Sequence, residues 1–444
     1  MKRAIYIIKV WLWMALLFAM TSCNLEVVES EELAVNECEH TIVMYLMADN
    51  NLSFSIYQNA LDAEMGMIGA LPSVRLVIYL DTNSKTELYE VRYLPYGENE
   101  HIRYCRTLKT YPWQTSTSPE VMRQVMEDVR RLAPSKSYGL VMSGHGSGWF
   151  PKPSSGTAYH SQKVAPQGGA AEFYFPSAAM PEPRTRFMGY DYEDSPEGAR
   201  VPSYISTSEI VDGLQPIHFD YIIFDACFMS SVEFLYEMRN SADYIVASPV
   251  EIMACGLPYK EILGNLATAE HKVSRVCDIA MDVYMRDDSF SYEKSLALAV
   301  VDCSKLEALA ESVRSAYLAT GGSDHLAVLE ERVNRAKVQH LDRMSPAAFY
   351  DLKDFVFELT KDEALREQFC AALEGVVINS VHTDSIYSLG YSSALDYSYD
   401  YITPREGAEK LSLCGINTYI PFAAAPLTNS LYMQTQWGQK VYSR

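Results

Sequence analysis

One stretch, Tyr221 to Glu233, constrains the fold of this chain more than any other. Its first four residues, YIIF, have the β-branched and aromatic content of a strand that is buried on both faces of a sheet. The run ends at Asp225, Ala226 and Cys227, and a helical segment is expected directly afterwards. Because open α/β sheets place ligands outside the carboxyl ends of their strands, Cys227 is predicted to lie where chemistry occurs.

A second apolar run supplies a base for this thiol. Tyr138 to Val141 has the composition of another buried strand, and the sequence SGHGSGW follows it at 143–149. The glycines indicate an open loop that leaves the imidazole of His145 accessible. Right-handed connections bring the carboxyl ends of parallel strands to one edge of a sheet, so His145 and Cys227 are predicted to meet there.

The order of the predicted elements favours an α/β fold with a mostly parallel sheet sandwiched by helices. Strands are predicted at 41–48, 74–80, 138–141, 221–224, 244–248 and 296–301, helices at 53–71, 118–132, 206–214 and 265–285, and an edge hairpin at 87–94 and 102–108. The pattern is mainly helical from 305 to 380, and late strands are predicted at 385–389 and 411–422. We expect one large domain at 40–300 and a mainly helical C-terminal subdomain at 301–444.

The N-terminal residues are not expected to belong to the fold. Three basic residues precede an apolar stretch, 10–20, that is too short for a convincing membrane span. The sequence MTSC at 20–23 resembles a bacterial lipoprotein signal, which implies removal of the signal peptide and lipidation of Cys23. An ordinary secretory signal is the alternative. Residues 24–39 carry six glutamates and are predicted to form a solvated acidic tether.

The composition excludes some classes of function. Apolar residues make up 48% of the chain and charged residues 21%, as in ordinary globular proteins. The formal charge of −20 argues against binding nucleic acid or an anionic membrane through bulk electrostatics, while it favours cationic peptides or simply solubility. The nine cysteines have no metal-ligand spacing, so most are predicted to be small buried residues. The sequence does not decide whether Cys38 and Cys105 form a disulfide.

The segments around His145 and Cys227, SGHGSGW and DACFMSSVE, together resemble the clostripain family (C11) of caspase-like cysteine peptidases. The resemblance implies a caspase-like fold and a dyad without a third residue. In it, Cys227 is the nucleophile and His145 protonates the leaving amine. The backbone amides of Gly146 and Cys227 are expected to face the oxyanion. A buried structural cysteine and a histidine that caps a turn are the alternatives.

Asp225 is the candidate that sets specificity. It lies two residues before Cys227, so on an extended chain the two side chains leave the same face. A carboxylate there opposes thiolate formation unless a cation lies between, and a substrate Arg or Lys would be that cation. The family resemblance also implies this pocket role; a structural cap is the alternative. Trp149 is expected to line the cleft.

The stretch 248–259, SPVEIMACGLPY, departs from the family. Relatives that cut after Arg or Lys usually bring further acids to the pocket from this stretch, but here the only acid is Glu251. Cys255 occupies a position where an acid is expected. Glu251 is therefore a candidate substrate-binding residue, and specificity for a residue other than Arg or Lys stays open.

The long segment 150–202 is rich in proline, glycine and serine and is predicted to be a loop beside the site. The family is activated by cleavage between its His and Cys strands, which implies a cut here; an uncut surface loop is the alternative. The basic residues of this segment are Lys152, Lys163, Arg184, Arg186 and Arg200.

No cofactor is expected to be required. Some members of the family use calcium, and the acids Asp49, Asp81 and 191–194 are candidates, although solvated loop carboxylates are favoured. No zinc motif, phosphate loop or GxSxG elbow occurs. We expect an exported bacterial lipoprotein of the cell envelope, a monomeric cysteine endopeptidase that acts on polypeptides. A surface lipoprotein that binds peptides without turnover is the alternative.

Overall fold

A nine-stranded sheet organises the protein in this computed structural model. The structure describes residues 37–443, apart from 97–99, 113, 151–187, 195–199, 289, 292–293, 322–328, 330–331, 345–346, 394–395 and 424. Glu37–Arg444 form one compact unit. The predicted signal peptide, Cys23, most of the predicted acidic tether and most of the predicted 150–202 loop lie outside the described residues.

The strands in chain order are β1 (Cys38–Met47), β2 (Val74–Asp81), β3 (Thr86–Tyr96), β4 (Glu100–Tyr111), β5 (Ser135–Ser143), β6 (Met188–Asp194), β7 (Arg200–Ile205), β8 (Phe219–Asp225), β9 (Ala242–Ala247), β10 (Ala297–Asp302), β11 (Tyr350–Asp351), β12 (Val377–His382), β13 (Tyr387–Ser393), β14 (Asp396–Tyr401) and β15 (Asn417–Thr418). The large sheet has the order β12-β10-β9-β8-β5-β1-β2-β3-β4, and β6–β7, β11–β15 and β13–β14 form small pairs. The inner strands β9, β8, β5, β1 and β2 run parallel, and antiparallel strands close both edges. The prediction of a mostly parallel sheet is confirmed.

The helices are α1 (Ser53–Gly66), α2 (Pro119–Leu132), α3 (Thr207–Leu214), α4 (Val232–Met238), α5 (Tyr259–Leu266), α6 (Val276–Arg286), α7 (Leu306–Ala319), α8 (Leu352–Leu359), α9 (Glu363–Val376), α10 (Pro426–Tyr432) and α11 (Gln436–Tyr442), with 3₁₀ turns at Val273–Arg275, Cys303–Lys305 and Arg335–Lys337. They form two layers, because the apolar side chains divide into one core on each face of the sheet. Ser118 caps α2 as predicted, by accepting from the amide of Val121. The prediction of a single helix at 265–285 is wrong, because two helices, α5 and α6, occupy this region. Helix α5 ends at Leu266, and just beyond it the Thr268 hydroxyl donates to the carbonyl of Asn265 in place of a helical amide.

The C-terminal part completes the sheet and supports the segment that follows Cys227. Strand β12 pairs antiparallel with β10 at the sheet edge. The hydroxyl of Ser230 donates to Gly415 O at 2.6 Å. On α4, Glu233 accepts at one oxygen from Thr418 and Tyr432. Burial raises the pKa of Glu233 to about 7. The strand predicted at 411–422 is reduced to the two residues of β15.

The cysteines of the described residues are all free thiols. The Cys38–Cys105 disulfide is therefore not formed, and the buried sulfur of Cys38 accepts hydrogen bonds from Arg75 at 2.7 and 3.0 Å instead. Within the described ranges, every helix is too short or too polar to span a bilayer.

Candidate active site

The register of two neighbouring parallel strands brings the His145 and Cys227 loops together. Ser143, the last residue of β5, lies opposite Asp225, the last residue of β8. The amide of Gly144 then donates to Asp225 O at 3.3 Å. Each loop runs two residues beyond its strand to the candidate catalytic side chain, so the sheet delivers both residues to one edge.

Gly146 makes the closest approach between the two loops. A Cβ atom at this position would lie 2.5 Å from Cys227 O and 2.8 Å from Cys227 N. Real Cβ atoms do not come so near to backbone, so only glycine fits here. The peptide groups of Gly146 and Cys227 are thus neighbours, which is the arrangement that two oxyanion donors require.

Cys227 lies in a turn rather than at the start of a helix. Helix α4 begins only at Val232, so the expectation that a helix directly follows the thiol is wrong. Phe228 adopts φ 61°, a strained value for a residue with a side chain, and its amide donates to Val250 O at 2.9 Å. The amide of Ile252 points at the Cys227 sulfur at 3.4 Å. The thiol in turn lies 3.8 Å from Ile252 O, to which it can donate.

His145 has a partner that sequence reasoning missed. Its Nε2 lies 2.8 Å from Oδ1 of Asn51, in the loop after β1. An amide oxygen only accepts, so this bond puts the proton on Nε2 and leaves Nδ1 unprotonated in the neutral imidazole. The sequence gives one signal for this contact: Asn51 comes just after the predicted strand at 41–48, which becomes β1, the neighbour of β5 in the sheet.

Replacing Asn51 with alanine is expected to lower kcat about tenfold to a hundredfold, because a mobile imidazole loses part of its proton-transfer contribution. KM should change little, and the pH profile of kcat should shift as the tautomer is released. Steady-state kinetics across pH measure both effects. Gln58→Ala, an exposed polar residue on α1, serves as the control. An unchanged kcat and pH profile would assign Asn51 to loop structure alone.

Asp225 is buried directly beneath the Cys227 turn, with 6% of its surface exposed. Its Oδ2 accepts from Tyr259 Oη at 2.7 Å and from Ser143 Oγ at 3.4 Å. Burial raises the pKa of this carboxyl to about 6, although the hydrogen bond from Tyr259 opposes the shift. Among the residues that the structure describes, Asp225 forms no ion pair. Within the described residues, the carboxyl two positions before the thiol is therefore buried without a cation.

The segment that follows β9 packs against Asp225 at Gly256. Gly256 has φ +71°, and a Cβ there would lie 2.6 Å from Asp225 Oδ2. Cys255 places its sulfur 3.5 Å from Tyr284 Oη, and burial raises the pKa of the Cys255 thiol. Cys255, the position at which an acid was expected, is thus a largely buried, neutral thiol.

Two candidate substrate residues have other roles in the structure. Glu251 uses Oε1 to accept from Ser388 Oγ at 2.8 Å and from Leu389 N at 3.0 Å, so this oxygen anchors strand β13. Trp149 is only 5% exposed, and its ring packs on Phe150 at 4.2 Å and on Tyr432 at 5.0 Å. The prediction that Trp149 lines the cleft is therefore contradicted, because its indole belongs to the core.

Three of the candidate calcium acids, Asp49, Asp81 and Asp191, are buried instead of solvated. Asp191 Oδ2 accepts from the amide and the hydroxyl of Ser116 at 2.5 Å each. Asp81 accepts from Thr86 Oγ1, and burial with the nearby Asp191 raises its pKa to about 8. The described part of the chain contains no group of three His, Cys, Asp or Glu that could hold a metal ion. Calcium dependence stays a prediction from the resemblance.

Comparison with known proteins decides the family. The model of the clostripain family, Peptidase C11, matches residues 176–413, which is more than half of the 444 residues. The chain belongs to the clostripain family. It is accordingly a cysteine protease. The matched residues include Cys227, and His145 precedes them. No curated protein matches the sequence.

Solved structures of clostripain-family proteases share the fold over nearly the whole chain. An inactive zymogen C11 protease from Parabacteroides distasonis is 25% identical, with a TM-score of 0.69 over 92% of this chain and 99% of that one. A secreted C11 cysteine protease from Bacteroides thetaiotaomicron with an irreversible peptide inhibitor is 22% identical, with a TM-score of 0.69 over 91% and 98%. Another secreted C11 protease of that organism, iotapain, is 24% identical with a TM-score of 0.67 over 91% and 100%. The caspase-like α/β fold expected from the sequence is thereby confirmed.

Proposed function

We propose that this clostripain-family protein is an endopeptidase that works through a Cys227–His145 dyad and a thioester intermediate. The observation that carries the proposal is the contact of Gly146 with the Cys227 peptide, which fixes the His145 loop beside the nucleophile. This contact supports the assignment of His145 and Cys227 to one site.

The reaction begins when the Cys227 thiol gives its proton to His145 and the sulfur attacks the carbonyl carbon of the scissile bond. Negative charge develops on the carbonyl oxygen, which faces the amides of Gly146 and Cys227; such donors typically contribute about 3 to 4 kcal/mol each. His145 protonates the leaving amine, and the C–N bond breaks to give a thioester. Water then attacks the thioester while His145 accepts its proton, and the thiol and the carboxylic acid product are released.

We further propose that cleavage follows an Arg or Lys residue. The support is electrostatic: Asp225 is buried, ionised above about pH 6, and without an ion-pair partner among the described residues. A buried charge that has hydrogen bonds but no cation is costly, so a substrate cation that reaches Asp225 gains a strong interaction. Glu251 does not reinforce the charge, because its Oε1 is bound to β13.

Export and anchoring belong to the same proposal. Two of the similar structures are of secreted proteases. The lipoprotein-like sequence ending at Cys23 supports an enzyme held in the cell envelope by an N-terminal lipid. The similar zymogen supports activation by a cut in the 150–202 loop. Cys23 and most of this loop lie outside the described residues.

A second candidate keeps the dyad but cuts after a residue that is not basic. The specific observation that favours it is the neutral thiol of Cys255, which precedes the Gly256 that contacts Asp225. This candidate predicts the same loss of activity on removal of Cys227, with a different residue before the cut.

The test is cleavage of a fluorogenic peptide library by the active protein and by a Cys227→Ala variant, with intact mass followed over time. Turnover after Arg or Lys that disappears in the variant is expected. A nick between residues 150 and 202 in the active protein alone would add self-processing. Turnover after other residues would keep the mechanism and reject basic specificity, whereas equal turnover in both proteins would reject Cys227 as the nucleophile.

A further inference from the structure

The β13–β14 hairpin carries an exposed cluster of tyrosines. Tyr387 lies opposite Tyr401, and Leu389 lies opposite Tyr399, so these four side chains share one face of the hairpin. The Tyr387 ring stacks on Tyr399 at 5.3 Å and meets Tyr401 edge-on at 5.3 Å. Tyr399 and Tyr401 remain 45% and 46% exposed. We call Tyr387, Tyr399 and Tyr401 the tyrosine face.

The tyrosine face is joined to the nucleophile through two short contacts. Glu251 binds the hydroxyl of Ser388 and the amide of Leu389, the two residues that follow Tyr387. Its neighbour Ile252 donates its amide to the Cys227 sulfur at 3.4 Å. Residues 251 and 252 thus contact both parts: the Glu251 side chain binds the hairpin and the Ile252 amide binds the thiol. The tyrosine face is therefore continuous with the candidate active site.

The order of the strands decides which half of a substrate lies toward the hairpin. The His145 loop follows β5, on one side of the Cys227 strand β8, whereas the 248–252 stretch follows β9 on the other side. His145 protonates the leaving amine, so the C-terminal half of the substrate departs on its side. The acyl half stays bound to Cys227 and extends toward Ile252, Glu251 and the hairpin.

We propose that the tyrosine face binds the polypeptide substrate several residues before the scissile bond, by stacking against arginine or aromatic side chains. The exposed acid Asp384 lines an open pocket of about 520 Å³ together with Tyr401, Met285 and the ion pair of Asp288 and Lys294. Asp400 leaves the opposite face of the hairpin and pairs with Arg343, so it does not contribute to this pocket. The Tyr401 ring beside the Asp384 carboxylate favours a guanidinium, which stacks on the ring and stays close to the negative charge. This inference rests on the proposed function, because it concerns the substrate of the same site.

The test compares a short and a long peptide, both with the residue preferred in the library before the bond. The short peptide has three residues before the bond, and the long one adds five upstream residues that include two arginines. Since an extended chain spans about 3.3 Å per residue, the long peptide extends about 16 Å farther upstream than the short one. The variants are the doubles Tyr399→Ser/Tyr401→Ser and Tyr399→Phe/Tyr401→Phe, with Leu318→Ser as an equally exposed control on α7.

We expect the serine double to lower kcat/KM for the long peptide about threefold to tenfold and to leave the short peptide unchanged. The phenylalanine double and Leu318→Ser should behave as the unaltered protein. Replacing the upstream arginines with alanine should remove the advantage of the long peptide. Equal losses on both peptides, or no loss on either, would overturn the proposal.

A binding measurement separates this proposal from the catalytic one. Fluorescence anisotropy of the labelled long peptide with the full-length Cys227→Ala variant requires no turnover. The serine double in this background should raise Kd by about the same threefold to tenfold, even if the active protein cleaves nothing. An unchanged Kd would reject the tyrosine face as a binding surface whatever the outcome for the dyad.

Discussion

Replacing Gly146 with alanine should reduce kcat/KM by roughly two to three orders of magnitude in a protein that still folds. The added methyl would lie 2.5 Å from Cys227 O and 2.8 Å from Cys227 N, and neither backbone atom can rotate away. The two loops must separate, which moves His145 away from the thiol and disturbs both oxyanion amides together. Misplacement by about 1 Å is sufficient for a hundredfold loss.

Gly144→Ala is the matched control for this prediction. It lies in the same loop, but its added methyl would meet the flexible end of Met47 at 3.1 Å, and its own amide would still donate to Asp225 O. Only a small loss of activity is expected. Thermal unfolding of both variants shows whether the fold survives, since overpacking typically costs about 1 to 3 kcal/mol. Similar kinetics for the two variants would mean that the Gly146 contact does not hold the dyad.

The centre of the fold could be predicted because its strands are apolar in unbroken runs. The segment YIIF before Asp225 and the run before Ser143 are both central strands of the sheet. Their order along the chain, with helices between them, predicts parallel neighbours whose ends meet. The placement of His145 beside Cys227 depends only on this register, so it did not require knowledge of side-chain packing.

The contacts that cross between distant elements could not be predicted. Asn51 is one of two adjacent asparagines after β1, and the sequence does not show which of them reaches His145. Glu251 was assigned to the substrate because no local pattern reveals its bonds to Ser388 and Leu389, far along the chain. Strand β12 was not predicted either. Its alternating, half-buried residues follow helix α9 directly, so the sequence shows no boundary between the helical pattern and this edge strand.

Replacing Asp225 with asparagine is expected to lower kcat/KM for peptides with Arg or Lys before the bond by roughly a hundredfold or more. Truncating one partner of a buried charge pair typically costs about 2 to 5 kcal/mol. Peptides with a neutral residue at this position should lose little. Ser143→Ala is the matched control, because it removes a hydroxyl that contacts the same carboxylate at 3.4 Å and keeps the charge. Kinetics with paired basic and neutral peptides give the ratio directly.

The pH dependence distinguishes a pocket acid from a structural cap. Burial raises the pKa of Asp225 to about 6, so the carboxyl is neutral below this pH and binds a substrate cation only above it. The kcat/KM for basic peptides should therefore rise through pH 6 in the unaltered protein, and this rise should be absent in Asp225→Asn. The folded pKa exceeds the unfolded value of 3.8, so ionisation of Asp225 removes stability as the pH rises from 4 to 6. Asp225→Asn should then be at least as stable as the unaltered protein at pH 8; a large loss of stability with unchanged selectivity would assign Asp225 to the cap.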